Sequence, residues 1–331
     1  MMLDLGRQRD FVQGAQSVEF VGGVWRFRRM NPELHRIFSE SESPLIRALS
    51  TTGIRLAFAA APKRIVIDLE YGKACRQFFK PELVVDGGEP TAFGPDAAAP
   101  GWSGAIFERA AAEPHRFEIF LPYSVETGVR RLELEGADAA RPLPRLQGGR
   151  WLVIGDSVSQ GMTATRPTRT WSTIAARELG MEELNVAVGG TKYDARVGPA
   201  AGQIPARLAT VSLGANDSFQ HVDPAYVESQ ARGVLDGLRA AQPRLAIAVI
   251  TPIHCFETDG TPATGQLDPY RAAARRAAAG RERVWVIEGP DVFPEDFGLF
   301  IDGVHPNEAG MAAYARGLVP ALRRVLAEDA A

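Results

Sequence analysis

Trp151-Leu152-Val153-Ile154-Gly155-Asp156-Ser157-Val158-Ser159-Gln160-Gly161 passes from an unbroken apolar run into a polar turn bounded by glycines. An unbroken run marks a strand covered on both faces of a parallel sheet, because a strand with one wet face would alternate. Comparable runs recur at 184–188, 208–213, 245–250 and 284–287, and helical spacing of apolar residues fills the intervals at 171–179, 223–241, 268–279 and 307–326. Five strands alternating with helices predict an α/β domain of three layers, α/β/α and flavodoxin-like, with right-handed crossovers. In such sheets ligands bind beyond the carboxyl ends of the strands. Those loops are where chemistry is to be sought.

Upstream the grammar is different. Short alternating runs at 24–27, 65–69, 83–85, 117–121 and 131–134 are separated by turns such as Asp86-Gly87-Gly88 and Gly94-Pro95-Asp96. Period-two alternation with such punctuation predicts an antiparallel β-sandwich. The segment 31–50 is less regular, and 97–104 reads as a loop. A Pro/Arg stretch, Ala139-Ala140-Arg141-Pro142-Leu143-Pro144-Arg145, has the composition of a linker. The expected division is 1–145, a jelly-roll-like accessory or substrate-binding domain, and 146–331, a catalytic domain.

The bulk properties fit two soluble domains. The chain has 331 residues, 45% of them hydrophobic, and its 37 basic and 40 acidic residues leave a net charge of -3. That balance argues against a nucleic-acid surface, which needs a basic excess. Only Lys63, Lys73, Lys80 and Lys192 are lysines, so the basic residues are mostly arginine, a composition that says little about partners. Cys75 and Cys255 stand far apart with no CxxC pair, which predicts buried thiols rather than a zinc site. Residues 1–7 lack a secretory apolar run and no stretch reaches the length of a membrane span, so the expected location is cytoplasmic, without membrane partners.

Four loops beyond predicted strand ends carry reactive residue types. Ser157 in Gly155-Asp156-Ser157 can expose its hydroxyl and aim its own N–H into the same cavity, or simply cap a helix. Gly189-Gly190 after the second strand can present a backbone N–H. Asn216 in Gly214-Ala215-Asn216-Asp217 carries a side-chain N–H donor, although an Asx turn is the plain alternative. Asp302-Gly303-Val304-His305 spaces a carboxylate and an imidazole so that the first reaches one ring nitrogen and leaves the other for a nucleophile.

Taken together and in this order, residues 150–327 resemble the SGNH, or GDSL-type, hydrolase superfamily. The resemblance implies Ser157 as nucleophile, His305 as base with Asp302 behind it, and Ser157, Gly190 and Asn216 as the oxyanion hole, with Gly189 the fallback if the glycine block is shifted by one. Val158 stands where the family's name-giving motif has leucine. Less specifically, Ile67-Asp68-Leu69-Glu70-Tyr71, Phe120-Leu121-Pro122-Tyr123 and Arg166-Pro167-x-x-Thr170-Trp171 are similar to a two-domain subgroup with an N-terminal β-sandwich. That subgroup includes sugar-ester deacetylases and tailoring acyltransferases of polyketide pathways.

The expected activity is that of a serine esterase acting on a small ester, such as an acetylated sugar or similar polar alcohol, through an acyl-Ser157 intermediate. An acyltransferase using the same acyl-enzyme on a natural-product or sugar hydroxyl is the first alternative. A non-catalytic binding module on a hydrolase fold is the second. The mechanism requires no metal or organic cofactor, and the oligomeric state is open. Lys192, Arg166 and Glu288 are candidates for substrate contact. Ser212, in a near match to the G-x-S-x-G elbow, lies within a strand and lacks the first glycine, which argues against it as nucleophile. His221 and His254 lie beyond strand ends, with surface or packing roles favoured, and Trp25, Trp102 and Tyr123 read chiefly as core.

Overall fold

Runs rich in Val, Ile, Leu and Ala favour burial on both faces, and in the computed structural model they form a five-stranded parallel sheet whose edge strand Val284–Ile287 is partly exposed. The structure describes residues 1–6 and 9–330; Arg7, in the opening stretch considered above, lies outside them. The sheet order is Glu182–Asn185, Arg150–Gly155, Leu208–Ser212, Ala246–Ile250, Val284–Ile287. This is the doubly wound order 2-1-3-4-5, whose winding reverses between the first and third strands in sequence. The register there pairs Gly155 with Ser212, so the loops that follow these two strands leave the sheet side by side.

Helices Trp171–Leu179 and Glu308–Ala330 pack together, and Val197–Gly202, Pro224–Ala241 and Asp268–Ala278 form a second group. The first group buries Trp171, Tyr314, Leu318 and Leu322 against Trp151, Val153 and Ala248 of the sheet. Thr170 caps helix Trp171–Leu179 by accepting from Thr173 N–H, and Gly180 ends it in the left-handed region.

The upstream strands form two antiparallel sheets. One runs Ser17–Val21, Val24–Arg28, Val125–Glu135, Arg64–Ala74, Gly101–Glu108; the other runs Val12–Gln13, Arg55–Ala60, His115–Phe120, Glu82–Val85, Thr91–Ala92, with Ala140–Pro142 on Arg55–Ala60. Alternate residues point inward, and Phe27, Phe58, Ile67, Phe117, Ile119 and Leu132 share one core. Tyr123 is buried, as expected, while Trp25 and Trp102 are half-buried at the edge of that core.

Two local expectations change. Residues 101–104, read as loop, begin the strand Gly101–Glu108, because pairing with Arg64–Ala74 overrides the weak propensity of Gly101, Ser103 and Gly104. Residues 31–50 hold two helices, Pro32–Phe38 and Glu42–Leu49. Asn31 caps the first by accepting from Leu34 N–H, with Pro32 at the first helical position.

The chain forms two compact units: Met1–Met30 with Leu45–Arg145 and Thr165–Thr168, and Asn31–Pro44 with Leu146–Ala164 and Arg169–Ala331. Each unit borrows a short segment from the other half of the sequence. In the first, Glu82 is fully buried and its carboxylate accepts from Thr168 N–H (2.9 Å) and Thr168 Oγ1 (2.5 Å). In the second, Leu34, Ile37 and Phe38 are buried, the Asn31 amide donates to Ala200 O (2.7 Å), and Arg196 holds Glu40 through Nη1 and Nη2 (2.6 and 3.1 Å).

Candidate active site

Strand Arg150–Gly155 ends in a helix of a single turn, Ser157–Gln160, with Asp156 as its cap: the carboxylate accepts from Val158 N–H (3.0 Å). A Cβ at Gly155 would lie 2.2 Å from Ser159 Oγ, so only glycine lets the helix fold back this tightly onto its strand. The turn leaves Ser157 at the helix start, with no hydrogen-bond partner for its N–H among the described residues.

His305 follows the last strand on a loop that Asp302 organises. One carboxylate oxygen accepts from the N–H groups of Val304 (3.1 Å) and His305 (2.8 Å), and the other lies 2.8 Å from His305 Nδ1. Pairing with the carboxylate places the proton on Nδ1 and leaves Nε2 as the acceptor. Ser157 Oγ is 2.9 Å from that Nε2. Burial raises the affinity of Asp302 for a proton, but the hydrogen bonds from His305 and Val304 and the imidazole charge outweigh it and hold the carboxyl below its usual range. The group is ionised at neutral pH.

Asn216 lies in the first turn of helix Ala215–Phe219, on the loop after the third strand. Its amide donates to Thr191 O (3.1 Å) and lies 3.4 Å from Asp156 Oδ2. The two glycines of the second loop differ. Gly189 N–H is taken by Gln160 Oε1 (2.8 Å), whereas Gly190, exposed and at φ +84, has no partner for its N–H among the described residues.

Ser157, Asn216 and His305 line one cavity of about 260 Å³. The reactive groups occupy one side, and Val158, Phe219, Ile253, Leu267 and Val304 line the rest together with His254 and Cys255. Burial pushes the Cys255 thiol up, and burial likewise lowers the His254 imidazole, so both are neutral near pH 7. Two buried carboxyls adjoin the reactive groups, Asp156 on the cavity lining and Asp217 beside Asn216 in sequence. Burial pushes Asp156 up to about 6 and does the same to Asp217, whose carboxylate accepts from Tyr193 N–H (3.3 Å).

The three candidates for substrate contact do not line this cavity. Arg166 belongs to the first unit and faces Glu82 at 3.7 Å. Glu288 is engaged by Arg275 (2.6 and 3.0 Å) and by the Thr251 hydroxyl (2.9 Å), its charge spent on a helix surface. Lys192 is exposed, and its charge is felt by Asp217. Conversely, Phe219, Ile253 and Leu267 carry no signal in the sequence that marks them as pocket residues. They are single apolar side chains in a five-residue helix, a loop and a 3₁₀ turn, too short for any periodicity.

A doubly wound sheet whose loops bring Ser157, His305 and Asp302 together carries the segment 153–313, which matches the GDSL-like Lipase/Acylhydrolase family model. No curated protein matches the sequence. Among solved structures, the salicylyl-acyltransferase SsfX3 from a tetracycline biosynthetic pathway is similar at 20% identity, with a TM-score of 0.80 over 95% of this chain and 94% of that one. A family two carbohydrate esterase from Cellvibrio japonicus is similar at 18% identity, with a TM-score of 0.67 and 96% of both chains covered. An acetyl xylan esterase, Est2A, from the rumen bacterium Butyrivibrio proteoclasticus reaches 17% identity and a TM-score of 0.60, over 83% of this chain and 90% of that one. At these identities the likeness is one of fold, and it extends over both units. No helix among the described residues is long and apolar enough to cross a membrane.

Proposed function

We propose that the protein is a serine esterase that cleaves a small ester through an acyl-Ser157 intermediate. The observation that carries this reading is the chain of contacts Ser157 Oγ to His305 Nε2 (2.9 Å) and His305 Nδ1 to Asp302 (2.8 Å), opening on a cavity. His305 takes the Ser157 proton as Oγ attacks the ester carbonyl, and Asp302 stabilises the imidazolium that forms. The oxyanion is held by the N–H groups of Ser157 and Gly190 and by the Asn216 amide. His305 then gives its proton to the leaving alcohol, and water repeats the sequence to free the acid. An ester of a sugar or similar polar alcohol suits a site of this size, and two of the similar structures are named as a carbohydrate esterase and an acetyl xylan esterase.

Transfer of the acyl group to an acceptor alcohol is the second reading. It uses the same acyl-enzyme, and a cavity with one apolar side, which holds water poorly, favours it. A fluorophosphonate should label Ser157 in the full chain and fail to label Ser157→Ala, which should have no ester turnover. An active Ser157→Ala protein would sink both readings. Product analysis with an acyl donor and candidate alcohols separates them, since hydrolysis yields free acid and transfer a new ester.

A further inference from the structure

We propose that the apolar side of the cavity is an acyl pocket that selects an acyl group with the bulk of an aromatic ring over acetyl. The inference rests on Ser157 as the nucleophile and narrows the acyl half of its substrate.

The cavity is too large for acetyl. A methyl has roughly the bulk of one water molecule, about 30 Å³, whereas an apolar cavity of about 150 Å³ takes up benzene. The whole cavity, which receives the alcohol as well as the acyl group, is about 260 Å³. An acetyl group would leave most of the apolar lining facing water or nothing. Each further methylene buried there favours binding by about fourfold.

Its walls suit a flat hydrocarbon group. Leu267 and Cys255, both almost fully buried, form the deep part, and the Cys255 thiol is neutral and behaves as a small apolar group. Phe219 is 37% exposed and stands at the mouth. Away from Asp156, Asn216 and the triad, His254 is the one ionisable nitrogen on the lining, and its Nδ1 lies 3.2 Å from Thr264 Oγ1.

Proton transfer to the leaving oxygen separates the alcohol side of the site from the acyl side. The leaving oxygen must sit at His305 Nε2 to receive its proton. The acyl substituent diverges from it on the same carbon, away from His305 Nε2. Asn216 and Phe219 are three residues apart on one helix and share a face. The proposed pocket sets a ring on the acyl carbon against Phe219 and Leu267, which line the same cavity as Asn216.

The test compares p-nitrophenyl acetate, butyrate and benzoate on the full-length protein, its Leu267→Trp variant and Phe219→Trp, the second change lying at a partly exposed site that tolerates bulk if the first prevents folding. In the unaltered protein kcat/KM should rise from acetate to benzoate by about tenfold or more. In either variant the ratio of benzoate to acetate should fall at least tenfold. Methyl benzoate and phenyl acetate carry the ring on opposite sides of the ester, and the variants should lower kcat/KM for the first more than for the second. The proposal is overturned if acetate is the best substrate, if the variants lower acetate and benzoate in parallel, or if phenyl acetate suffers the larger loss. A Ser157 that fluorophosphonate labels while only acetate turns over refutes this pocket alone; no label and no turnover of any ester refutes the esterase reading as well.

Discussion

Replacing Asn216 by alanine removes one hydrogen-bond donor from the proposed oxyanion hole while leaving nucleophile, base and cavity in place. The structure bounds the cost to the fold. The amide donates to Thr191 O at 3.1 Å and approaches Asp156 Oδ2 at 3.4 Å. Loss of such a bond costs about 1 kcal/mol, and alanine in place of asparagine within a helix returns about half of that. In a protein of this size the melting temperature should fall by no more than about 4 °C. The catalytic cost is larger, because the donor acts when charge develops on the carbonyl oxygen: about 3–4 kcal/mol, or a 10²–10³-fold drop in kcat with KM little changed. Steady-state hydrolysis and the rate of fluorophosphonate labelling should fall together. Asn216→Asp, which keeps the shape and lacks the donor, should be impaired at least as much. A well-folded Asn216→Ala protein with kcat reduced less than tenfold would refute the oxyanion role, and an active Asn216→Asp would reduce Asn216 to a spacer.

Asp302→Asn keeps an acceptor for the N–H groups of Val304 and His305 but turns an N–H toward His305 Nδ1, favouring the tautomer that cannot accept from Ser157; kcat should drop by about 10²–10⁴, and because the Asp302 carboxyl titrates below its usual range the loss should be constant from pH 5 to 8. A loss that appears only at one end of that range would contradict the assigned role. Asp156 bears on stability. Burial first of all pushes its carboxyl from 3.8 to about 6, so the stability tied to its neutral form is complete below pH 3.8 and is lost as pH rises through 6, by about 3 kcal/mol. Asp156→Asn should therefore flatten the decline in urea midpoint between pH 4.5 and 7.5, leaving the share due to Asp217; an unaltered slope would contradict the buried-carboxyl account. A fragment of residues 146–331 lacks Leu34, Ile37 and Phe38, which are buried in the second unit and contribute about 1.5–3 kcal/mol each. Its melting temperature should lie well below that of a fragment beginning at residue 31, and equal stability would show that these side chains add nothing.

The parallel strands were legible because burial on both faces leaves no polar position in the run, and helix Trp171–Leu179 has the bounds its apolar spacing predicts. The second strand is an exception. Its apolar run predicts 184–188, whereas the strand lies at Glu182–Asn185, where Glu183 is buried because Thr173 and Asn185 donate to it. A paired charge inside a strand reads as a strand end until its partners are known. The strands Ser17–Val21 and Arg55–Ala60 left weak marks for another reason, since an exposed edge and an alanine-rich stretch both blur the alternation.

Ser157, Asn216, Asp302 and His305 were legible as loop residues at strand ends, and their spacing along the chain already fitted acyl transfer. Their convergence depends on strand order: Arg150–Gly155 and Leu208–Ser212 are neighbours in the sheet though a whole strand separates them in sequence. Tertiary structure also bears on the candidates Gly189 and Gly190, because the Gly189 N–H is taken by a glutamine 29 residues away in sequence.

The sequence by itself determined the alternation of buried strands and helices, the sandwich before them and the candidate reactive groups, since each rests on local pattern: period, turn chemistry and residue type. Only the tertiary structure decided which side chains face Ser157. Arg166, Lys192 and Glu288 carry the charges that a sequence offers as ligands, yet Arg166 and Glu288 are held by ion pairs and Lys192 lies in solvent. The cavity is instead walled by Phe219, Ile253 and Leu267, apolar residues from three separate segments. Apolar contact has no direction and no spacing rule, so no local pattern reports which hydrophobic residues will meet at a pocket.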